Sequence, residues 1–588
     1  WRTLLEHWKK TAVIGGAVNS INDTPYKGLT EALDLSGHLT GQYSSAFDQV
    51  TTAVELDAVA GPWGADGTFV FRDSGGLEVP ETPNALETGN PTDPLVTGDL
   101  PFTDFDQLNG AFSVGRAADW GGVSVRWEGW RNDQNFLVPD PPPPDFDAPL
   151  QGGGTGQRLE NDIVQVRANI ALGSDMRLEP SFTWVRNLRQ ANPGPPEPLP
   201  LPAGPERSVI DIRRDSLTGR VVLKHGPITP WLKGQVGVQV DREMQTSRGP
   251  VALSPGGTVE NYAMFAFEEV SLGRLILDLG LRVDHRETEA DPAETADTSG
   301  LPGFSDDPDV PDDASLLTQN FTIVTGGVGA RYLLSDQWVV TANFGSAFRA
   351  PGLFDLFVNG SHGGVAAIQV GDPTLEPERS YNTDVTLRRR GDLIDVQASI
   401  YRNDIDNFIF PGGTGEIDDP SGQPIFQLQQ DDAVLWGGDI DLRVTPSDWF
   451  EYRLTYERVE GSLERNDTEV PLLPADRIAN ELTVKREQAG PFQDLRLSTE
   501  FRYVFAKDAA GLLEPFGQFD APPPPFGTGS TDDYFLWNIG AEAHWRNATV
   551  RLEVNNLLDT AYRDFLDTYK NITLSPGRDI RLTVSTSF

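Results

Sequence analysis

The chain has 588 residues, contains no cysteine and carries a formal net charge of -40, from 87 acidic and 47 basic residues. The absence of cysteine excludes disulfides, thiolate metal sites and a cysteine nucleophile. The acidic balance argues against nucleic acid as a partner, because phosphate binding needs concentrated Lys and Arg, and no run approaches the ~18 consecutive apolar residues of a transmembrane helix.

Residues 1–28 precede the first predicted strand and include the run VIGGAVNSIND at positions 13–23. The chain starts at Trp1 rather than Met, and no signal peptide is visible. We therefore expect the sequence to be a processed or incomplete product.

From about residue 30 to the C-terminus, apolar and polar residues alternate in short segments with a period of two. In the segment 338–349, Trp338, Val340 and Phe344 share one face, while Thr341 and Asn343 share the other. Such alternation predicts β-strands with one apolar and one polar face. Counting these segments predicts 22 strands.

The connections between these strands fall into two classes that alternate along the chain. Those after even-numbered strands are tight, as at 446–448, whereas those after odd-numbered strands are mostly long and rich in Pro, Gly and Asp, as at 132–158, 287–315 and 411–425. A soluble β-sandwich or propeller has no reason to alternate in this way, but outer-membrane barrels have short periplasmic turns and long extracellular loops. An even strand number without an open edge also suits hydrocarbon, where unpaired backbone groups are costly.

We therefore predict an all-β fold, a 22-stranded antiparallel transmembrane β-barrel integral to the bacterial outer membrane. The last predicted strand, DIRLTVSTSF at 579–588, places Leu582, Val584 and Phe588 on a lipid-facing side and Arg581 in the lumen. A charge on the lipid side near the midplane would cost roughly 2–4 kcal/mol. This strand is expected to close the barrel against the first one.

Three motifs resemble those of TonB-dependent receptors. They are the run at 13–23, similar to the end of that family's plug domain; FGSAFRAPGLFDLF with GDPTLEPERSYNTDVTL, at 344–357 and 371–387; and VNNLLDTAYRD with SPGRDIRLTVSTSF, at 554–564 and 575–588. The resemblance implies that residues 1–28 are the C-terminal end, or remnant, of an N-terminal plug and that 29–588 form the barrel. It also implies that Leu582, Val584 and Phe588 are the signature read by the barrel-assembly machinery. Barrels of this width have a plugged lumen.

Within the family, the segments 358–364, 406–442 and 561–578 resemble the branch that includes zinc-uptake receptors. His362 and Asn359 are then expected in an outer loop at the mouth, with Asp372 and Glu376 nearby as further metal or substrate ligands. Imidazole and carboxylate groups both bind zinc. An exposed loop histidine without a ligand is the alternative for His362, because the chain has only six histidines whereas that branch tends to carry histidine-rich loops.

The loop 287–313 contains ten carboxylates and no Lys, Arg or His. Clustered oxygen ligands suit Ca²⁺, and the candidate ligands are Asp306, Asp307, Asp309, Asp312 and Asp313. The run DDPDVPDD at 306–313 lacks the glycine and the distant glutamate of an EF-hand loop. A solvated loop that binds divalent cations loosely, itself or through neighbouring lipopolysaccharide, is the competing interpretation.

The resemblance implies a transporter that takes up a scarce nutrient, energised by the TonB–ExbB–ExbD complex of the inner membrane. The expected ligand is a metal ion or metal chelate, with zinc first, siderophore-bound or haem iron second, and a carbohydrate or other organic nutrient third. No GxSxG, P-loop or HExxH motif indicates an enzyme, and no intrinsic cofactor is expected beyond bound Zn or Ca. A passive pore, or a structural or adhesion barrel at the surface, is the alternative if the plug is absent, and a surface lipoprotein is a further candidate partner.

Overall fold

A computed structural model describes most of the barrel and parts of its loops. The described residues are 33–84, 88, 93–94, 96–135, 156–192, 210–248, 254–291, 301–304, 314–362, 367–418, 424–465, 468–470, 472–508, 530–567, 570 and 573–588. The predicted plug segment, 1–28, and the acidic residues Asp306, Asp307, Asp309, Asp312 and Asp313 lie outside this description.

The wall of the barrel is a single antiparallel sheet, and its strand number confirms the prediction of 22. In chain order the wall strands are Asp34–Ser44, Gln49–Ala60, Trp63–Ser74, Phe105–Ala118, Gly121–Gln134, Gly156–Ala171, Met176–Asn192, Ile210–Thr229, Leu232–Ser247, Gly257–Leu272, Leu275–Ala290, Thr318–Leu333, Trp338–Arg349, Glu378–Arg389, Ile394–Ile417, Pro424–Ser447, Phe450–Leu463, Arg477–Ala489, Phe492–Val504, Tyr534–Trp545, Ala548–Asn555 and Asp579–Ser587.

Shorter elements lie in the loops between the wall strands. They are the strands Leu77–Glu78, Asp99–Leu100, Asn359–His362, Ala367–Val370 and Thr468–Glu469, the α-helix Leu353–Phe357 and the 3₁₀ helix Ala314–Leu317. Among the described residues, no helix is long and apolar enough to cross a membrane.

The sheet closes because the last strand pairs with the first, from His38 opposite Ser587 to Ser44 opposite Arg581. Across this seam Gln42 donates to the Thr583 hydroxyl at 2.9 Å, and the Ser44 hydroxyl donates to Asp579 at 2.7 Å. These polar contacts lie on the lumen side. Closure leaves no edge whose backbone groups would face hydrocarbon.

The register carries one apolar row of side chains from strand to strand. Leu582 lies opposite both Leu552 and Tyr43, and Val584 lies opposite Val550. Leu582 and Val584 are exposed on the chain itself, as expected for a surface that lipid covers. Arg581 falls in the opposite row and pairs with the buried Asp579 at 2.9 Å. The predicted orientation of the last strand is thus confirmed.

One predicted loop is wrong in extent. The stretch 411–425 was expected to be irregular, but the strands Ile394–Ile417 and Pro424–Ser447 each continue for 24 residues. At about 3.3 Å per residue each reaches roughly 80 Å, whereas about 9–11 residues cross the membrane. A register break between Ile405 and Phe408, with Asn407 at φ 58°, separates the wall portion from the outer extension. Proline and glycine at 411–413 obscured this extension in the sequence.

Candidate functional site: the outer mouth

The loop 350–377 folds over the outer opening of the barrel. It contains the helix Leu353–Phe357 and the hairpin Asn359–His362 with Ala367–Val370, whose second strand pairs in parallel with the outer extension at residues 425–427. The buried side chains of Ala367 and Phe426 pack together beneath this pairing. The loop is therefore attached to the neighbouring wall by backbone hydrogen bonds as well as by its own ends.

An apolar cluster holds the loop on the lumen side of the wall. Leu356, Phe357 and Val358 are at most 1% exposed. The cluster combines residues of the loop 350–377, of the loop before Thr318 and of four wall strands. Its buried members are Val259, Ala290, Leu301, Leu353, Leu356, Phe357, Val358, Leu375, Ile409 and Leu428. Burying one such side chain contributes about 1.5–3 kcal/mol. The packed helix is thus a stable part of the mouth.

The loop folds toward the lumen because it packs against Val259. Val259 belongs to the row opposite the lipid-facing Tyr262 and Met264 of the same strand, so Val259 faces the lumen. At Gly257, in the same lumen-facing row, a β-carbon would clash with the Glu289 carbonyl oxygen of the neighbouring strand and lie 2.9 Å from a Leu353 methyl group. The absence of a side chain at Gly257 therefore lets the Glu289 backbone and the Leu353 side chain both approach this strand closely.

An ionic cluster fixes the two ends of the loop. Arg349 donates to Glu378 through Nε and Nη2, both at 2.8 Å, and to Asp355 through Nη1 at 2.9 Å. The Glu378 side chain is 5% exposed and also accepts from the backbone of Ile409 at 2.7 Å. A bidentate, charge-assisted pair of this kind has a fixed geometry. This cluster, Arg349 with Asp355 and Glu378, is named the loop clasp below.

The predicted site residues lie in this same loop. Asn359 begins the hairpin, opposite Val370, and His362 ends its first strand, opposite Ala367; the His362 side chain is not among those described. Asp372 accepts from the Thr374 backbone at 2.8 Å and hydroxyl at 2.6 Å, which forms a local turn. Glu376 is exposed, and its backbone is held by Gln430 of the outer extension at 2.9 Å and 2.6 Å.

Asn359, Asp372 and Glu376 thus all belong to the loop at the mouth. In the part of the chain that the structure describes, no group of three or more His, Asp or Glu side chains is placed to hold a metal ion. Metal binding by His362, Asp372 and Glu376 therefore stays a prediction.

A second pair of loops packs at another part of the mouth. Val79, Leu100 and Leu574 form a buried cluster, and the Thr573 hydroxyl donates to the Val96 carbonyl at 2.8 Å. Lys570 is 4% exposed and donates to the Phe565 carbonyl at 2.7 Å. The loops 75–104 and 556–578 are therefore joined to each other.

An aromatic pair joins the loop 556–578 to the wall strand Tyr534–Trp545. The rings of Tyr534 and Tyr562 are 4.5 Å apart, and the Tyr534 hydroxyl donates to Asp564 at 2.8 Å. Burial, aided by Asp564 and Asp567, raises the pKa of Tyr562 to about 12. The phenol is therefore neutral at every physiological pH and retains its O–H donor.

Sequence reasoning missed the loop clasp. Arg349, Asp355 and Glu378 all belong to the 344–387 motif, but so do Asp372, Glu376 and Arg379. The periodicity gives no indication of which charges pair across a loop. No feature of the sequence indicated that the loops 75–104 and 556–578 contact each other.

Comparisons with known proteins agree with this architecture. The family model described as TonB dependent receptor-like, beta-barrel, matches residues 121–557. The heme/hemopexin utilization protein C of Haemophilus influenzae is 34% identical over 150 residues, which are 23% of this chain and 17% of that protein. The vitamin B12 transporter BtuB of Photobacterium profundum is 29% identical over 113 residues, 19% of this chain and 17% of the relative. The chain therefore spans less than a fifth of each relative's length.

Solved structures resemble the fold over nearly the whole chain. The copper transporter OprC superposes with a TM-score of 0.72 at 16% identity, covering 95% of this chain and 80% of the other. The FrpB iron transporter from Neisseria meningitidis gives a TM-score of 0.71 at 12% identity, covering 94% and 81%. The siderophore receptor PirA from Acinetobacter baumannii gives 0.67 at 13%, covering 96% and 81%. At these identities the likeness shows the fold.

Proposed function

The chain belongs to the family of TonB-dependent receptor-like β-barrels of the outer membrane, and from this premise we propose that it takes up a metal-bearing nutrient captured at the outer mouth. The observation that carries the proposal is the loop 350–377, which is packed into the outer opening and fixed by the loop clasp. A ligand bound against such a loop reaches the lumen directly. Family membership favours this function over a passive pore or an adhesion barrel.

The ligand is proposed to be a transition metal held in an organic chelate, such as haem or a ferric siderophore. The relatives are named for haem and vitamin B12, and the structural neighbours are named for iron, siderophore and copper. A metal inside an organic ligand is common to most of these names. Zinc as a free ion is supported by the resemblance of the segments 358–364, 406–442 and 561–578 to the branch that includes zinc-uptake receptors.

The contact residues are proposed to be Asn359, His362, Asp372 and Glu376. Their support is position, because all four belong to the loop that lies at the mouth. Amide, imidazole and carboxylate groups can contact a metal chelate through its polar rim, or a free ion directly.

The energy for transport is proposed to come from TonB–ExbB–ExbD in the inner membrane. Members of the family work with this complex, and the inner ends of the wall strands, joined by tight turns, face the compartment from which it acts. Binding is then non-covalent, and the chain performs no catalysis.

The proposal is tested by titrating the purified full-length protein and following its tryptophan fluorescence. The probes are haemin, a ferric catecholate siderophore, cyanocobalamin, copper(II) chloride and zinc chloride. We expect saturable binding of one metal chelate, weakened by Asp372→Asn with Glu376→Gln. Saturable binding of zinc alone would replace the chelate with the free ion, and binding of none of the five would remove the proposed function.

A further inference from the structure

The lipid-facing surface of the barrel has a depression of about 720 Å³ among the strands 378–389, 394–417, 424–447 and 450–463. Its apolar lining comes from Val385, Ile400, Trp436 and Ile440. These side chains share the lipid-facing side of the wall, because Ile400 lies opposite Val385 and Gly438, and Ala398 lies opposite Ile440. This depression is named the belt groove.

Small residues create the belt groove. Ala398 and Gly438 form its floor, where larger side chains such as Val328 and Phe344 occupy the corresponding row elsewhere in the wall. Ile400 is 66% exposed and Trp436 is 47% exposed, so apolar walls of the groove are left for a ligand to cover. The volume is within the ~300–1,000 Å³ of typical small-molecule sites.

The outer rim of the belt groove is cationic and aromatic. Arg402 lies opposite Trp436, and the Arg458 guanidinium carbon is 5.6 Å from the Trp436 ring centroid. Tryptophan is enriched at the level of lipid headgroups. From Trp436 to the inner turn at Ser447 the strand rises roughly 25 Å after allowing for tilt, which is the height of the apolar band. The rim therefore lies at the outer boundary of the membrane.

The two guanidinium groups keep capacity for an anion. Arg402 donates to Asp404 through Nε and Nη2, and Arg458 contacts Glu460 and, at 3.3 Å, Asp476. Asp404 and Glu460 lie two residues beyond Arg402 and Arg458 along the same strands, on the same face and farther from the membrane. Arg402 and Arg458 are 60% and 41% exposed, so a phosphate at the membrane boundary can reach both.

We propose that the belt groove binds a phosphate-bearing glycolipid of the outer leaflet, of lipid A chemistry, with one acyl chain on Ala398 and Gly438 and a phosphate at Arg402 and Arg458. The register places the groove in the apolar belt, which lipid covers. Because the rim of the groove lies at the outer boundary of the membrane, the lipid must come from the outer leaflet. The pair of arginines beside a tryptophan selects an anionic headgroup over a neutral one.

Native mass spectrometry of the delipidated full-length protein in detergent tests this assignment. The probes are diphosphoryl lipid A and, as a phosphate-free control, digalactosyldiacylglycerol. We expect one lipid A to bind more tightly than the control. Arg402→Gln with Arg458→Gln should weaken its binding by about thirtyfold, since two basic residues near the surface together contribute ~2 kcal/mol. Ala398→Phe, which fills the groove, should abolish the preference.

Two matched variants separate the site from general effects on the wall. Arg242→Gln removes a 54% exposed lipid-side arginine paired with Glu260, and Ala342→Phe adds an aromatic ring to the belt away from the groove. Neither should alter lipid A binding, and retained heat-modifiability on gels would show that all variants are folded. Equal binding of both lipids, or unchanged lipid A binding in the double arginine variant, would overturn the proposal. A protein dimer that Ala398→Phe dissolves would assign the groove to a second copy instead.

Discussion

Arg349 is the residue on which the order of loop 350–377 depends most directly. Arg349→Gln leaves the buried Glu378 carboxylate without its bidentate partner. Because Arg349 itself is 32% exposed, we expect a loss of about 3 kcal/mol, the lower end for a buried pair. Because Arg349 also holds Asp355 of the loop against the wall, we expect local opening of the loop. Hydrogen exchange of the amides at 353–358 should become faster, on the order of a hundredfold.

Arg477→Gln is the control for this change. Arg477 pairs with Glu457, and both side chains are about half exposed, so the pair contributes about 0–1 kcal/mol. Exchange at 353–358 should be unaffected by it. If the two variants exchange alike, the loop clasp does not hold the loop.

His362 is the residue that distinguishes a free metal ion from a chelate as the ligand. If zinc binds directly, His362→Ala removes an imidazole ligand and should lower zinc affinity about tenfold or more. His544→Ala is the control, because His544 lies at the inner end of its strand, opposite Thr549. Calorimetry with zinc chloride measures both. Equal zinc affinity in the wild-type protein and His362→Ala would exclude His362 as a ligand.

At the scale of the element, the packing of loop 350–377 depends on one close approach of backbone. A β-carbon at Gly371 would lie 2.6 Å from the Leu356 carbonyl oxygen, so Gly371→Ala forces the chain apart. We expect a cost of about 1–3 kcal/mol, as for an overpacked core. Limited proteolysis should then cut within 350–377.

Gly352→Ala gives the matched comparison, because a β-carbon there has its nearest contact at 3.7 Å, to a flexible Asp355 oxygen. The loop should stay resistant to protease in that variant. Cleavage at equal rates in both variants would mean that the close approach does not matter. Heat-modifiability of the barrel should be the same in both.

The elements differ in how far one sequence predicts them. The wall strands were predictable because lipid and lumen impose an alternation on every one of them, as at 338–349. The outer extension of strands 394–417 and 424–447 was not, because it leaves the membrane and loses that alternation. The helix Leu353–Phe357 is five residues long and depends on contacts with Val259 and Ile409, which are distant in sequence.

At the scale of the whole molecule, closure of the barrel depends on the last strand. Phe588 exchanges two backbone hydrogen bonds with Gly37, both at 3.1 Å, while its side chain is 64% exposed. Phe588→Ala keeps the backbone pairing but removes the ring proposed to be read during assembly. We expect less folded barrel in the outer membrane and an unchanged yield on refolding in detergent. A fall in both yields would mean that the Phe588 ring stabilises the folded barrel and does not act in its assembly.

The loop that carries the candidate site was recognisable in the sequence, whereas ligand contact by its residues stays a prediction. The motif at 344–387 located the mouth loop, since Asn359, Asp372 and Glu376 all lie there. The loop clasp could not be foreseen, because the pairing of Arg349 with Glu378 depends on the register of two wall strands. The belt groove could not be foreseen either, because its floor combines Ala398 and Gly438 from neighbouring strands.

Uptake of radioactive iron by intact cells producing the full-length protein tests the central claim most directly. The iron is supplied as haem or as a ferric catecholate siderophore, in matched strains with and without TonB. The account predicts saturable uptake of one of these chelates that requires TonB and falls with Arg349→Gln. Equal uptake in the strain without TonB would contradict active transport and identify the barrel as a passive pore.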